Sequence, residues 1–342
     1  MEEITLHGSR IITGECAGTL DRYLPVGRVI IITNAVVRAL HGKLFPPGEV
    51  IEIGDGEHYK TLETIDYIAG KLVELEADRD TFILGVGGGI VCDVTGFIAS
   101  IFMRGCAFGL VPTTLLAQVD AAVGGKNGVN HRGFKNMLGV FNQPRLVACD
   151  PLFSRTLPLQ EYVAGFAEIV KAAMIADASL FRYLEEHVEQ ALERQEDFLQ
   201  HVVRESIRIK ANIVAGDERE RGDRRLLNLG HTFAHAIEKC AAFSHGQAVS
   251  AGLCIAARLS VRLGLASEED RQRVTRLLER LGLPVTTEIP LTMLLAAARA
   301  DKKKSGEAIY FVFPVGIGRC EARLLSFTRL EELVNEITTS HE

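Results

Sequence analysis

The sequence predicts an α/β N-terminal domain with a parallel sheet, followed by a mainly α-helical C-terminal domain. In the first half, short β-branched runs alternate with segments whose apolar residues recur at helical spacing, which is typical of a doubly wound sheet with a ligand crevice at the carboxyl ends of its strands. From residue 159 to about 300, long helical patterns rich in Ala, Leu, Glu and Arg replace the strands. The predicted domains are therefore 1–155 and 156–342.

Each predicted element is indicated by the spacing of apolar residues along a short run of the sequence. In the first half, apolar β-branched runs predict strands, and apolar residues three or four apart predict helices. The strand runs are RVIIITN (28–34), EVIEIGDG (49–56) and TFILGVGGG (81–89), and the helical segments are AVVRALHGKL (35–44) and TLETIDYIAGKLVELEA (61–77). The second half is predicted to be helical except for one strand-like run, AIYFVFPVG (308–316).

Composition and charge argue against several classes of protein. The chain has 342 residues, 47% hydrophobic and 24% charged, as in an ordinary folded protein with two cores. Its 38 basic and 44 acidic residues give a net charge of −6, which argues against a nucleic-acid binder. The acidic start lacks a signal-peptide pattern, and Asp93 and Arg104 interrupt the most apolar region before it reaches the length of a membrane span. Seven cysteines without a CxxC pair predict reduced thiols and a cytoplasmic protein.

A glycine run follows the third predicted strand. In GVGGGIVCD (85–93), glycines permit close approach to a phosphate, and the amides of the following helix start point towards it. The spacing differs from GxGxxG, so the run indicates either phosphate binding or a tight structural turn. In DGEHYK (55–60), Glu57 could accept a hydrogen bond from a ribose and Lys60 could reach a phosphate, although that stretch alone is typical of a solvated turn.

Residues 111–139 combine hydroxyl, carboxylate and lysine side chains with many glycines. Their sequence is VPTTLLAQVDAAVGGKNGVNHRGFKNMLG. So many polar groups in an apolar half are costly to bury unless they are paired or face a ligand, and the lysines suit an anionic one. The GGKN turn lacks the frame of a P-loop. The segment therefore predicts a binding site for an anionic substrate, built differently from a P-loop.

Two charged residues interrupt an apolar helical segment. Glu168 and Lys171 lie three apart in AGFAEIVKAAMI (164–175), so they share one helical face. Such pairs usually lie on a solvated surface. Because its neighbours are apolar, this pair is predicted to be buried, which is uncommon for charged residues without a particular reason.

Three of the ten histidines lie in LNLGHTFAHAIEKCAAFSHGQAV (227–249), which is predicted to be largely helical. His231 and His235 are four apart, as metal ligands on one helical face often are. The segment lacks the glutamate of HExxH, which argues against a zinc protease. Arg224, Asn228, His231 and His235 follow at intervals of four, three and four residues, which predicts one polar stripe along a helix, facing a cleft.

Together these motifs resemble the 3-dehydroquinate synthase family of the sugar phosphate cyclases. The resemblance covers nearly the whole chain. The matching motifs are DGEHYK, GGGIVCD, MRG, VPTTLLAQVDAAVGGKNGVN, FKNMLG, AGFAEIVKAA, DERERGDRRLLNLGHTFAHAIE, SHGQAV and DKK. The resemblance implies a Rossmann-like N-terminal domain and a helical C-terminal domain, with NAD and a divalent metal, Zn2+ or Co2+, bound in the cleft between them.

The resemblance also implies which residues serve each purpose. Glu168, His231 and His245 would hold the metal, and His235 would face the substrate instead. The positions that match NAD contacts are Asp55, Gly56, Glu57, Lys60, Gly88, Gly89, Ile90, Asp93, Thr113, Thr114, Asp120, Lys126, Lys135, Phe153, Thr156, Leu157 and Glu161. The positions that match substrate-site and catalytic residues are Arg104, Asp120, Lys126, Asn136, Lys171, Lys210, Arg224, Asn228, His235 and Lys303. Arg104 would reach the active site of the neighbouring subunit in a homodimer.

The implied reaction converts 3-deoxy-D-arabino-heptulosonate 7-phosphate into 3-dehydroquinate and phosphate, in the shikimate pathway of aromatic amino acid biosynthesis. The carboxylate and phosphate of this small sugar phosphate explain a basic pocket in an acidic protein. The family's steps are transient oxidation by NAD, elimination of phosphate, re-reduction and an intramolecular aldol closure. NAD is regenerated in each cycle, so the enzyme is a phosphate lyase.

A few positions depart from the family pattern. Asn127 replaces a common threonine, Ala121 and Ala122 replace common serines, and Gln247 replaces a common glutamate. None of these changes removes an implied ligand or catalytic charge.

Other functions share parts of this pattern. Retention of Arg224, Asn228 and His235 favours the dehydroquinate reaction over the inosose and valiolone synthases, whereas a cyclase of an aminated substrate is compatible with the same residues. An NAD- and metal-dependent polyol dehydrogenase would need fewer basic residues facing its substrate. A metal-stabilised NAD-binding regulatory protein would leave the basic stripe exposed and dispensable.

Overall fold

The structure of the chain is a computed structural model that describes residues 1–301 and 308–339. Lys303, which is predicted to face the substrate, lies outside the described residues. Among the helices in these two stretches, none combines the length and the apolar character that a membrane span requires.

The chain divides into two compact units. The first comprises Met1–Tyr162 together with Leu199–Ala215. The second comprises Val163–Phe198 together with the chain from Gly216 onwards. The domain boundary near residue 155 stays a prediction. The compact units are groups of residues that pack together, and the first of them includes Leu199–Ala215, which lies beyond that boundary.

A seven-stranded sheet forms the centre of the first unit, in the order β1-β2-β9-β6-β5-β3-β4. The strands of this unit are β1 (Glu2–Leu6), β2 (Ser9–Thr13), β3 (Val29–Asn34), β4 (Glu49–Ile53), β5 (Phe82–Gly87), β6 (Phe108–Pro112), β7 (Lys126–His131), β8 (Phe134–Phe141) and β9 (Leu146–Cys149). In the large sheet, β1 pairs with β2 antiparallel and every other neighbouring pair is parallel. The predicted α/β class with a parallel sheet is confirmed.

The central strands are buried on both faces. Ile30, Ile31 and Ile32 in β3 and Leu84 and Val86 in β5 are fully buried. Such continuous apolar runs are expected of parallel strands, because the helices that connect them cover both faces of the sheet.

Helices α1 (Ala35–His41), α2 (Leu62–Glu74) and α3 (Gly89–Ile101) follow β3, β4 and β5 in the chain. Asn34 caps α1, because its side chain accepts a hydrogen bond from the backbone N–H of Val37. Thr61 caps α2 in the same way. The turns at the carboxyl ends of β3 and β4 are thereby held in place, which is where ligands bind in sheets of this kind.

Strands β7 and β8 form a separate antiparallel hairpin that the sequence pattern does not predict. Glycine and asparagine replace the alternating apolar residues that indicate a strand. The backbone N–H of Asn130 donates to the Lys60 oxygen at 2.8 Å, and the Asn142 amide donates to Ser100 Oγ at 2.8 Å. These bonds hold the hairpin to the large-sheet part of the first unit.

Helices make up most of the second unit, as predicted. The helices that follow α3 in the chain are α4 (Leu159–Ala176), α5 (Ala178–Glu186), α6 (Val188–Leu192), α7 (Glu196–Gly216), α8 (His231–Cys240), α9 (His245–Arg262), α10 (Glu268–Arg280), α11 (Leu291–Asp301) and α12 (Phe327–Thr339). Most of α7 belongs to the first unit. The predicted strand near 308–316 is present as β10 (Ala308–Pro314), and its antiparallel partner β11 (Cys320–Ser326) is an element that the sequence pattern misses.

Candidate metal centre and binding residues

Glu168 and Lys171 form an ion pair on one face of α4. They are only 2% and 3% exposed, so the predicted burial of the pair is confirmed. Removing two charges from water costs several kcal/mol for each ion unless nearby groups compensate. The Glu168 carboxylate therefore needs the positive charge that surrounding groups provide.

His231 and His245 are the first residues of α8 and α9. Gly230 has a left-handed φ of 78° and separates α8 from the 3-10 turn that holds Arg224 and Asn228. The prediction of one continuous helical stripe is therefore wrong, because a left-handed residue breaks the repeat that would align these side chains.

A close approach between helices brings His245 towards α4. A β-carbon on Gly246 would lie 2.1 Å from the backbone oxygen of Ala164, so the contact requires glycine. The backbone N–H of Ser244 donates to Gln247 Oε1 at 2.9 Å. Glutamine thus makes the capping contact at the start of α9 that glutamate also makes, and this departure leaves the helix start intact.

Ligand atoms of Glu168, His231 and His245 surround one point. Glu168 Oε1 lies 3.7 Å from Nε2 of His231 and 3.4 Å from Nε2 of His245, and one ligand atom from each residue lies within 4.8 Å of the other two. In a tetrahedral zinc site with bonds of about 2.0–2.2 Å, ligand atoms are about 3.3–3.6 Å apart. The two distances from the carboxylate to the histidines are therefore close to those around a divalent metal ion.

The imidazole of His231 is in the state that metal binding requires. Its Nδ1 lies 3.1 Å from the Leu229 carbonyl oxygen, which can only accept, so Nδ1 carries the hydrogen and Nε2 presents its lone pair towards Glu168. Burial, followed by the charge of Lys171, lowers the pKa of His231 to about 3. The ring is therefore neutral at ordinary pH, as a metal ligand must be.

His245 lies between two carboxylates. Its Nε2 faces Glu168, and its Nδ1 lies 3.4 Å from Glu238 Oε1. Burial lowers the pKa of His245, but the hydrogen bonds to Glu168 and Glu238 outweigh it and raise this pKa to about 9. A bound cation would replace the Nε2 proton, since metals and protons compete for the same lone pair.

His235 lies one turn beyond His231 on α8 and is exposed. The two rings meet edge to face, with centroids 5.5 Å apart. Within residues 1–301 and 308–339, the compact group of ligand atoms contains His245 rather than His235. Helical spacing alone suggests His231 and His235 as the ligand pair, whereas the structure groups His231 with His245. The roles of these residues stay predictions.

Arg224 and Asn228 both bind the segment that precedes them. Arg224 is buried and donates from Nη1 to the backbone oxygen of Glu218. The Asn228 amide donates to the Glu220 carboxylate. These bonds hold both predicted substrate-site residues in place within the second unit.

In the first unit, the glycine run lies at the carboxyl end of β5. Gly88 separates β5 from α3, and no side chain caps the start of this helix. A β-carbon on Gly87 would lie 2.5 Å from Val91, and one on Gly88 would lie 3.1 Å from Thr114. Glycines thus fit a crowded turn, and the amides at the start of α3 are suited to an anionic group.

Lys60 connects two segments that are predicted to bind NAD or substrate. Its ammonium forms an ion pair with Asp93 on α3 and donates to Asn136 Oδ1 on β8 at 2.5 Å. Burial raises the pKa of Asp93, and the charge of Lys60 opposes that rise. Nearby, the Asn130 amide donates to Glu57 Oε1 at 2.7 Å. The DGEHYK stretch is therefore bound to the hairpin, although most of its side chains are exposed.

Asp120 and Lys210 are brought together although they are distant in the chain. Asp120 lies in a turn of π-helix, Ala117–Ala121, a distortion that is frequent at functional sites. The buried ammonium of Lys210, on α7, forms an ion pair with the Asp120 carboxylate and donates to its backbone oxygen at 2.6 Å. Both residues belong to the first unit.

Thr156 is held by His41, a residue that no sequence motif indicates. Its hydroxyl donates to the Phe153 carbonyl at 3.2 Å and lies 2.9 Å from Nε2 of His41, from which it accepts. The His41 ring packs edge-on against Phe153, with centroids 4.9 Å apart. No motif surrounds His41, so the sequence offers no signal for it.

The remaining predicted residues of the first unit differ in exposure. Thr113 is buried and its backbone N–H donates to the Gly87 oxygen at 2.9 Å. Gly56 has a φ of 98°. The partly buried residues are Gly89, Ile90 and Leu157. The exposed side chains are Asp55, Glu57, Arg104, Lys126, Lys135, Asn136, Thr156 and Glu161.

Two family sequence profiles match the chain. The profile described as 3-dehydroquinate synthase N-terminal matches residues 50–164, and that described as 3-dehydroquinate synthase C-terminal matches residues 165–304. The chain is 44% identical over 309 residues to the 3-dehydroquinate synthase of Halorhodospira halophila, which covers 88% of this chain and 87% of that protein. It is 40% identical over 318 residues to that of Dehalococcoides mccartyi, covering 90% and 88%.

Solved structures of similar fold include two cyclases. The 2-epi-5-epi-valiolone synthase of Streptomyces hygroscopicus, solved with NAD+ and Zn2+ bound, aligns with a TM-score of 0.87 at 27% identity over 99% of this chain and 98% of that one. A 2-deoxy-scyllo-inosose synthase complexed with carbaglucose-6-phosphate, NAD+ and Co2+ aligns with a TM-score of 0.86 at 24% identity over 98% and 100% of the two chains. The second likeness shows a shared fold alone.

Proposed function

The chain belongs to the 3-dehydroquinate synthase family, and from this premise we propose that it converts 3-deoxy-D-arabino-heptulosonate 7-phosphate into 3-dehydroquinate and phosphate. The observation that carries the proposal is the group formed by Glu168, His231 and His245, whose ligand atoms lie within 4.8 Å of one another. A binding module without a metal has no need of a buried carboxylate that faces two histidines.

In the second unit, we propose that these three residues hold Zn2+ or Co2+. The fit of their spacing to a tetrahedral ion supports this, as does the Zn2+ in the similar valiolone synthase. When bound, the metal supplies a Lewis acid that polarises substrate oxygens. The Leu229 carbonyl orients His231, and the Lys171 ammonium offsets the negative charge of Glu168.

In the first unit, we propose that NAD binds at the carboxyl ends of β4 and β5. The uncapped amides of α3 are suited to the pyrophosphate, and the Glu57 carboxylate to a ribose hydroxyl. Lys60, fixed between Asp93 and Asn136, adds positive charge beside this position. His41 presents the Thr156 hydroxyl in a single orientation.

The basic residues of both units are proposed to bind the substrate's carboxylate and phosphate. Charge-assisted hydrogen bonds from arginine and lysine are the strongest contacts available to such groups. We assign Lys126, Lys171, Lys210 and Arg224 to anion binding, with Asp120, Asn136 and Asn228 orienting hydroxyls and His235 transferring a proton near the departing phosphate. Lys303 is included by its match to the family.

We further propose that the protein acts as a homodimer in which Arg104 reaches the active site of the neighbouring subunit. Met103 and Arg104 both have left-handed backbone conformations, with φ of 48° and 71°, and both side chains are exposed. Beside them, the exposed side chains of Leu62, Ile101 and Met103 line a groove of about 390 Å³. An exposed apolar surface next to a projecting arginine is typical of a protein interface.

The test is a phosphate-release assay on the purified protein with NAD+ and Zn2+ or Co2+. We expect inorganic phosphate to appear from the heptulosonate phosphate without net accumulation of NADH, because hydride returns within each cycle. The product should be identified by chromatography against authentic 3-dehydroquinate.

Three outcomes would contradict the proposal. Steady NADH production from a simple polyol would indicate a dehydrogenase. Faster turnover of the aminated substrate would indicate the amino variant of the reaction. No turnover of any of these, with retained NAD+ binding, would indicate a regulatory binding protein.

A further inference from the structure

We propose that Glu238 is a positioning residue that holds His245 in the orientation and tautomer needed for metal binding. This inference rests on the proposed metal role of Glu168, His231 and His245. It adds a carboxylate outside the ligand group that determines how firmly the metal is held.

The position of Glu238 follows from the periodicity of α8. Glu238 is seven residues beyond His231, so after two helical turns the two side chains lie on the same face of the helix. Its side chain is only 5% exposed, and Oε1 lies 3.4 Å from Nδ1 of His245. The carboxylate therefore lies behind the imidazole, on the side opposite Glu168.

The two ring nitrogens of His245 consequently have different partners. Nε2 faces Glu168 Oε1 at 3.4 Å, where a metal would bind, and Nδ1 faces Glu238 Oε1. A carboxylate can only accept from a ring N–H, so Glu238 keeps the hydrogen on Nδ1 and leaves the Nε2 lone pair for the metal. A carboxylate behind a histidine ligand also raises the basicity of the ring.

The two histidines differ in how they are oriented. His231 donates from Nδ1 to the Leu229 backbone carbonyl, a partner that no side-chain substitution removes. His245 instead lies at the start of α9 and has a side-chain partner from another helix. Glu238 is thus the outer group through which the affinity of this site can be changed without altering a ligand.

The experiment measures Co2+ binding to metal-free protein. Glu238→Gln preserves the size of the side chain and removes its negative charge. We expect Glu238→Gln to weaken Co2+ binding about 10- to 100-fold in a chelator competition and to shift the visible absorption of bound Co2+, because the ligand becomes less basic and less well oriented. Glu269→Gln, an exposed glutamate on α10, is the matched control and should bind as the unaltered protein does.

The outcomes separate this inference from the proposed function. If the unaltered protein binds Co2+ and Glu238→Gln binds it with the same affinity and spectrum, Glu238 does not position His245, although the metal site stands. If Glu238→Gln only lowers the melting temperature of the metal-free protein, its role is structural and the inference is overturned. If the unaltered protein binds no Co2+, both the metal proposal and this inference are wrong.

Discussion

Asn127 lies directly against Gly96: a β-carbon at position 96 would be 1.8 Å from the Asn127 side-chain oxygen. Asn127 is buried on β7, and its amide donates to the backbone oxygens of Gly125 at 3.0 Å and Asn142 at 2.9 Å. It cannot move aside without losing both bonds. The asparagine that departs from the family's threonine thus supports the turn that carries Lys126.

Gly96→Ala should lower the free energy of unfolding by about 1–3 kcal/mol, because the added methyl group overpacks this contact. The measurement is urea denaturation followed by circular dichroism. In an Asn127→Ala background the same change should cost less, since the opposing side chain is gone. Gly70→Ala in α2 is the control: a β-carbon there would meet nothing within 4 Å, so it should raise stability by roughly 0.5–1 kcal/mol. Equal costs of Gly96→Ala in both backgrounds would contradict this account.

Lys60→Met should destabilise the protein in a pH-dependent manner. Burial raises the pKa of Asp93 in the folded state, so this carboxyl stabilises the fold below its unfolded pKa and loses that contribution as pH rises through the folded pKa. Without Lys60 the folded pKa of Asp93 rises further, so the loss grows as pH rises above the unfolded pKa of about 4. At about pH 7 the cost should reach roughly 3–5 kcal/mol, as for a broken buried ion pair.

Denaturation curves across that pH range measure the effect of Lys60→Met. Adding Asp93→Asn should restore much of the stability and flatten the pH dependence. Lys71→Met breaks an exposed pair with Glu74 and should cost no more than about 1 kcal/mol at any pH. If Lys60→Met behaved as Lys71→Met does, the ion pair with Asp93 would not be a buried one.

His245→Ala should lose the metal, whereas His235→Ala should keep it and lose rate. Only the first change removes a member of the group that lies within 4.8 Å. We expect kcat of His235→Ala to fall by about 10²- to 10⁴-fold, the usual contribution of a proton-transferring group. Metal content by mass spectrometry after gel filtration, beside initial rates of phosphate release, distinguishes the two. Equal metal loss in both variants would show that the ligands are wrongly assigned.

Mixed dimers test whether Arg104 acts in the neighbouring subunit. Arg104→Ala and Lys126→Ala subunits should each be inactive alone. In a mixed dimer, the Arg104→Ala subunit keeps its own Lys126 and receives Arg104 from its partner, so one site is restored. Random mixing should then recover about a quarter of the unaltered activity, since half of the dimers are mixed and each has one complete site. No recovery in purified mixed dimers would place Arg104 in its own subunit's site.

Patterns of local period predicted much of the fold. Strands β3, β4 and β5 and helices α1 and α2 were indicated by runs whose apolar periodicity is set within a few residues. β1, β8 and β11 carry no such pattern, because they are largely exposed and lack a continuous apolar run. A single left-handed residue, Gly230, was enough to break the helical stripe that the spacing predicts.

By itself, the sequence determined the α/β class, the helical second half and the family, because these depend on composition, local period and the order of long motifs. Only the tertiary structure decided which side chains face one another at atomic distance: Nε2 of His245 towards Glu168, Glu238 behind His245, and Asn127 against Gly96. Those relationships depend on how closely helices and strands pack, as where Gly246 meets α4, and local spacing carries no information about distances between elements.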